Sequence, residues 1–215
     1  AGKKVTRSDN CRVSDLSVSS DNLTFTYEAK SLPYPIDTSY YDNEKHTQAD
    51  ALSVIPFMDE MNYEGLSVSG LSDGYYGLTI GGEFIGRFTA RELERGINMA
   101  LLQNTPQYKQ AMKIRQMNEE RWLKERKMRE FYWVEYNLMR KTGMLWACNE
   151  AAVDTLRKYR PHDIFLQWNG ALWLQYMHKG IREDCVNEQQ DLVNQIYEQN
   201  KPIPLQIEIK KFTDL

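Results

Sequence analysis

At 215 residues the chain has the length of one domain or two small ones, enough to bury a real core. Apolar residues make up 41% and charged residues 27%, and twelve glycines with seven prolines exclude a collagen-like or low-complexity chain. The 27 basic and 30 acidic side chains leave a net charge of −3, so neither a nucleic-acid partner nor an acidic membrane surface is expected. No stretch approaches the roughly 18 uninterrupted apolar residues of a membrane span.

The first ten residues, AGKKVTRSDN, are polar, so no signal peptide is read there: either it was removed or the chain begins partway through a longer protein. Charge is unevenly placed. Residues 1–105 hold 9 basic and 15 acidic side chains, residues 106–142 hold 10 and 5, and residues 143–215 hold 8 and 10. In the basic middle block glutamates lie three or four residues from lysines and arginines, the pattern of a solvated helix face.

From Cys11 to Tyr27 apolar residues alternate across a Ser19-Ser20-Asp21-Asn22 turn, which predicts a hairpin. The phase slips between Val13 and Leu16, which predicts a bulge, since one extra residue turns every later side chain to the other face. Residues 31–50 are too rich in Pro, Asp and Asn for regular structure and read as a long surface loop. A short apolar run from Leu52 to Phe57 and a strand around Leu66 and Val68 follow. Two alternating runs flank Gly81-Gly82 and predict a second hairpin.

Thr89-Ala90-Arg91-Glu92 is a capping box, in which threonine oxygen and glutamate satisfy each other's backbone donors, and it opens a short helix ending near Gly96. Thr105-Pro106 starts a long helix that no proline interrupts before Gly143. Tyr108, Met112, Trp122, Phe131, Tyr132 and Leu138 read as its core-facing side. A second helix is expected from Asn149 to before Pro161, and a third over much of Ile164 to Asn200. Ile203, Leu205, Ile207 and Ile209 alternate strictly, as a strand that must find its partner in the β-rich first half. The expected fold is therefore α+β: a small antiparallel sheet or sandwich, built from the hairpins and the C-terminal strand, packed against about three longer helices. Its parts are a β-rich region over 1–104, a helical region over 105–200 and a strand within 201–215 that returns to the sheet, forming one cooperative unit.

Candidate chemistry is sparse. Gly70-Leu71-Ser72-Asp73-Gly74 has the spacing of a serine-hydrolase elbow, but that device needs a strand turning into a helix, and here a strand follows, so a glycine-rich turn is the better reading. His46, His162 and His178 show no metal-ligand spacing, and neither a metal nor another cofactor is expected. Cys11, Cys148 and Cys185 stand far apart; one disulfide with one free thiol, or three semi-buried thiols, both fit. The sequon Asn22-Leu23-Thr24 reads as a turn signal. One stretch reads as a binding surface: Trp168, Asn169, Trp173 and Tyr176 gather aromatic faces and amides, the means by which proteins hold sugars, and a helix break at Gly170 would turn Trp168 and Asn169 into a cleft. The alternative is that these aromatics fill a seam between helices and sheet.

The strings CRVSDLSVSSDNLTFTYEAKSLPYPID, QADALSVIPFMDEMN, GLSDGYYGLTIGGEFIGRFTARELERGINMALLQNTPQY and NEERW with REFYWVEYNLMR resemble the C-terminal half of bacterial SGNH (GDSL-type) hydrolases, over nearly the whole chain. In that family the catalytic serine of a Gly-Asp-Ser block, the oxyanion glycine and asparagine, and an Asp-x-x-His all lie upstream of the part resembled. None is present: the residues three before His46, His162 and His178 are Asn43, Tyr159 and Gln175. No catalytic residue carries over, and acyl transfer without nucleophile, base and oxyanion donors fails. The resemblance implies an accessory, non-catalytic C-terminal portion of an esterase whose partner is the catalytic half of its own parent protein. Loop 31–50 and the Trp168–Tyr176 segment would then wall the substrate cleft. It further implies ester or acetyl-ester hydrolysis on a carbohydrate, and an exported (periplasmic or extracellular) protein. The alternatives are a stand-alone carbohydrate- or partner-binding module and an interaction scaffold built on the long helix.

Overall fold

The computed structural model describes residues 4–20, 22–39 and 44–212. Asp21 of the expected turn, Asn43 and the rest of 40–43 in the expected loop lie outside them. In chain order the elements are β1 (Cys11–Val18), β2 (Asn22–Ala29), a 3-10 turn (Gln48–Ser53), α1 (Phe57–Glu60), β3 (Gly65–Leu66), β4 (Tyr75–Ile80), β5 (Glu83–Thr89), α2 (Ala90–Arg95) and β6 (Ile97–Asn98). There follow α3 (Pro106–Val134), which continues as a π-helical turn (Glu135–Met139), then α4 (Glu150–Tyr159), α5 (Ile164–Tyr176), α6 (Lys179–Gln199) and β7 (Leu205–Lys211). The architecture is α+β, as the alternation of patterns requires.

The chain forms two compact units, Ala1–Arg115 with Gln199–Leu215, and Gln116–Glu198. The first holds a five-stranded antiparallel sheet in the order β1-β2-β7-β4-β5. The terminal strand is its centre: Phe25 pairs with Ile207 on one side and Ile80 with the same residue on the other. Leu205, Ile207 and Ile209 point to one face because side chains alternate along a strand, and there they bury against Phe25, Leu78, Ile80, Leu93 and Met99. The bulge falls where the phase slips. Ser14 pairs with Thr26 and Ser17 with Thr24, and Asp15 takes a left-handed φ of 54°. In the second hairpin Gly81 and Gly82 both have positive φ, 59° and 84°, which a two-residue turn between twisted strands demands.

Thr89 and Glu92 form the expected reciprocal cap of α2, and Asn98 Oδ1 accepts from Glu64 and Ala100 backbone N–H groups, fixing the short β3–β6 pair. Residues 34–37 of the expected loop are tied down more firmly than their composition suggests. Asn62 holds both backbone groups of Tyr34, Tyr108 Oη donates to the Ile36 carbonyl at 2.6 Å, and Asp37 pairs with Arg115. Ile36 is buried with Met58 and Ala100.

The second unit is helical. Its core gathers Phe131, Val134, Leu138 and Met139 with Leu156, Leu166, Trp173, Tyr176 and Cys185. Two expectations about α3 change: Trp122 is exposed, within a stretch from Gln116 to Lys127 that has no buried side chain, and Tyr132 is exposed because its neighbour Phe131 takes the inward position. The expected third helix is two helices. Between α5 and α6, Arg182 donates to the carbonyls of Tyr176 and Met177 at 2.5 and 2.8 Å, satisfying the end of α5 where no proline marks a stop.

Candidate functional site

The π-helical turn at the end of α3 carries the most demanding group in the helical unit. Glu135 is 1% exposed; its Oε1 accepts from Trp173 Nε1 at 2.7 Å and its Oε2 from the Trp146 backbone N–H at 2.8 Å. A buried carboxylate is tolerated only when such donors replace water. Here the extra residue of the π turn, closed by an Arg140-to-Glu135 backbone bond of 2.8 Å, aims it inward. Trp173 is therefore a core residue bonded to Glu135. Tyr176 is also interior, and burial, then its contact with the Cys185 thiol, pushes its phenol up to about 12.

Gly170 does not break α5; it lies inside the helix with Leu156 and Arg160 against it. Trp168 and Asn169 are consequently presented by a helix surface and not by a turn. Of the four expected binding residues, the structure keeps these two outside and takes Trp173 and Tyr176 inside. Trp168 is 66% exposed and meets Phe165 edge to face at 5.5 Å, and Phe165 lies 5.3 Å from Trp133 of α3.

Trp133 and Asn169 line a groove of about 490 Å³ together with Trp122, Arg126, Arg129 and Glu130. On α3 the spacing 122, 126, 129, 133 is one helical stripe, so the helix itself lays two indoles and two guanidiniums in a row. Arg129 sits over Trp122 at 5.7 Å, Arg126 pairs with Glu130 at 2.7 Å and Arg129 with Glu125 at 3.1 Å. Such exposed pairs are worth little and open readily to a ligand. Flat aromatic faces beside exposed guanidinium donors can hold a ring and its hydroxyl or carboxylate groups, and the lining offers no hydroxyl or thiol nucleophile for acyl transfer.

Elsewhere the geometry is structural. Ser72 Oγ accepts from Lys211 Nζ at 2.7 Å and lies 3.1 Å from Tyr76 Oη, which also contacts the Ser72 carbonyl at 3.0 Å. The turn is thus tied to the terminal strand, and among the described residues no imidazole hydrogen-bonds to this serine. Asn22 donates through Nδ2 to Glu208 at 3.0 Å, inside the sheet. In the first unit Glu64 accepts from Tyr27 Oη at 2.9 Å and from Gln107 Nε2 at 3.3 Å, and burial raises both the carboxyl and the phenol above their ordinary ranges. All three cysteines are free thiols, and Cys148 Sγ lies 3.4 Å from His178 Nδ1. Among the described residues no group of three or more His, Cys, Asp or Glu is placed to hold a metal ion, and no helix is long and apolar enough to cross a membrane.

The family model described as the C-terminal helical domain of diltiazem deacetylase matches residues 112–201, a stretch that includes the whole helical unit and its groove. A solved structure, a gut microbial diltiazem-metabolizing enzyme, is similar over 98% of this chain and 48% of its own, with 34% sequence identity and a TM-score of 0.90. The chain thus spans about half the length of the enzyme it matches, and the likeness takes in the sheet unit as well as the helices. No curated protein matches.

Proposed function

We propose that this chain is the C-terminal, non-catalytic portion of an ester hydrolase of the SGNH (GDSL) type. The observation that carries the reading is the coverage: 98% of this chain superposes on only 48% of an enzyme that metabolizes diltiazem, leaving half of that enzyme to hold a catalytic site. The matched description, a deacetylase, names removal of an acetyl group, which supports an ester-hydrolase parent, and the SGNH type is taken from the sequence resemblance described above. In this reading the partner is the catalytic half of the same polypeptide, the parent is exported, and its substrate is an acetylated carbohydrate. Trp122, Trp133 and Trp168 with Asn169 form the surface on which a sugar ring rests. Trp173 and Tyr176 hold that surface from beneath.

The test is an acetyl-ester assay on two polypeptides. The chain alone should give no turnover above background, whereas the polypeptide extended through its upstream coding sequence, carrying Gly-Asp-Ser and Asp-x-x-His, should turn over. Hydrolysis by the chain alone that Ser72→Ala abolishes would refute the proposal. A stand-alone carbohydrate-binding module is the second reading, favoured by the Trp–Arg groove; glycan-array binding by the chain alone, lost in Trp168→Ala, would select it.

A further inference from the structure

Cys148 and His178 lie thirty residues apart in sequence and 3.4 Å apart at Sγ and Nδ1, both on the surface. Each is held by anchored backbone. Cys148 follows a loop pinned by the bond from Trp146 N–H to Glu135 and by Ala147 N–H to the Met144 carbonyl at 2.9 Å. It immediately precedes Asn149, whose Oδ1 accepts from Ala152 N–H at 3.0 Å and caps the ten-residue helix α4. His178 stands at the corner between α5 and α6, where the Arg182 guanidinium grips the last carbonyls of α5. The thiol is therefore accessible and set against an imidazole that can take its proton.

The other two cysteines are placed differently. Cys185 is 4% exposed, with its Sγ directed at the Lys124 carbonyl. Cys11 is half-buried, and burial followed by the charges of Asp9 and Glu64 raises its thiol above the ordinary range. One accessible, base-paired sulfur thus stands beside two that are shielded or suppressed.

We propose that Cys148 is a modification site, S-thiolated by small-molecule disulfides of the glutathione class with His178 as the base. In the step, the Sγ–H proton passes to Nδ1 and Sγ attacks one sulfur of the reagent. A new S–S bond forms, the reagent's S–S bond breaks, and the second sulfur leaves with the electron pair and collects the proton from the imidazole. The disulfide supplied is the oxidant, so the exchange balances without another reagent.

The test treats the 215-residue chain with oxidised glutathione or an aromatic disulfide at neutral pH and follows each cysteine by peptide mass spectrometry. Cys148 should be labelled at least about tenfold faster than Cys11, with Cys185 unlabelled until denaturant is added. His178→Gln should slow labelling by about threefold or more, because the imidazole that takes the Sγ proton is removed. The wild-type ratio of rates needs no variant and stands even if His178→Gln perturbs folding. Equal labelling of Cys148 and Cys11, or an unchanged rate in a His178→Gln protein with native far-UV circular dichroism, would overturn the assignment.

Discussion

Replacing Trp173 by Phe tests whether the buried Glu135 depends on its indole partner. The substitution keeps an aromatic ring in a site that is 0% exposed but deletes the N–H that reaches Glu135 Oε1 at 2.7 Å. A lost hydrogen bond to a carboxylate costs about 1.5–3 kcal/mol, and the smaller ring opens a void worth about another 1 kcal/mol. The expected destabilisation is about 2.5–4 kcal/mol, a fall in Tm of roughly 5–16 °C for a protein of this size. Urea unfolding followed by tryptophan emission is the assay, since all five tryptophans lie between residues 122 and 173 and so report the helical unit. Glu135→Gln should be costly in its own right, because an amide turns a donor toward either Trp173 Nε1–H or Trp146 N–H. The double variant should cost less than the two single changes added, with a coupling of about 0.5–3 kcal/mol. Strict additivity, or a Trp173→Phe cost under about 0.5 kcal/mol, would show that the carboxylate is satisfied by other means.

Ile207→Ala, at the crossing point of the sheet where exposure is 0%, should cost about 2–5 kcal/mol in chemical denaturation followed by far-UV circular dichroism. A loss below about 1 kcal/mol would contradict its central placement. Glu64 binds its proton more tightly folded than unfolded, so its contribution to stability is full below the ordinary glutamate range and is lost as pH rises through the raised folded value. Glu64→Gln should flatten that decline, and identical stability–pH profiles for the two proteins would refute the assignment. Asp37, held low by the Ser39 backbone N–H and then by Arg115, has the opposite sign: its contribution is lost as pH falls, and Asp37→Asn should reduce the acid sensitivity of unfolding. Ser72→Ala should leave the fold intact and lower stability by about 1 kcal/mol or less, since an exposed hydroxyl held by a lysine contributes little.

The parts of the fold readable from residues were those set by local chemistry. Thr89 and Glu92 announce α2, Gly81-Gly82 the second hairpin, and the slip between Val13 and Leu16 the bulge, because each depends on neighbours within four residues. Partner choice is not local: Ile207 and Ile209 alternate as any strand would, and nothing in them says that they separate two hairpins. The end of α5 was hidden because Arg182 makes it, from five and six residues downstream. Trp173 looked like a ligand-binding aromatic because its partner is Glu135, 38 residues away, and a lone glutamate in a charged helix gives no sign that it is buried. The groove left a usable trace in the 122, 126, 129, 133 stripe, but indoles at helical spacing read equally as core, and only the exposed middle of α3 separates the two.

The central place of β7 also orders events during synthesis. The β1–β2 and β4–β5 hairpins leave the ribosome long before residues 205–211 exist, and until that last segment arrives each presents an open edge where β7 will bind. The helical unit is complete by residue 198 and can consolidate first. The nascent sheet must therefore wait, unpaired and adhesive, for the final seven-residue strand to zip it shut.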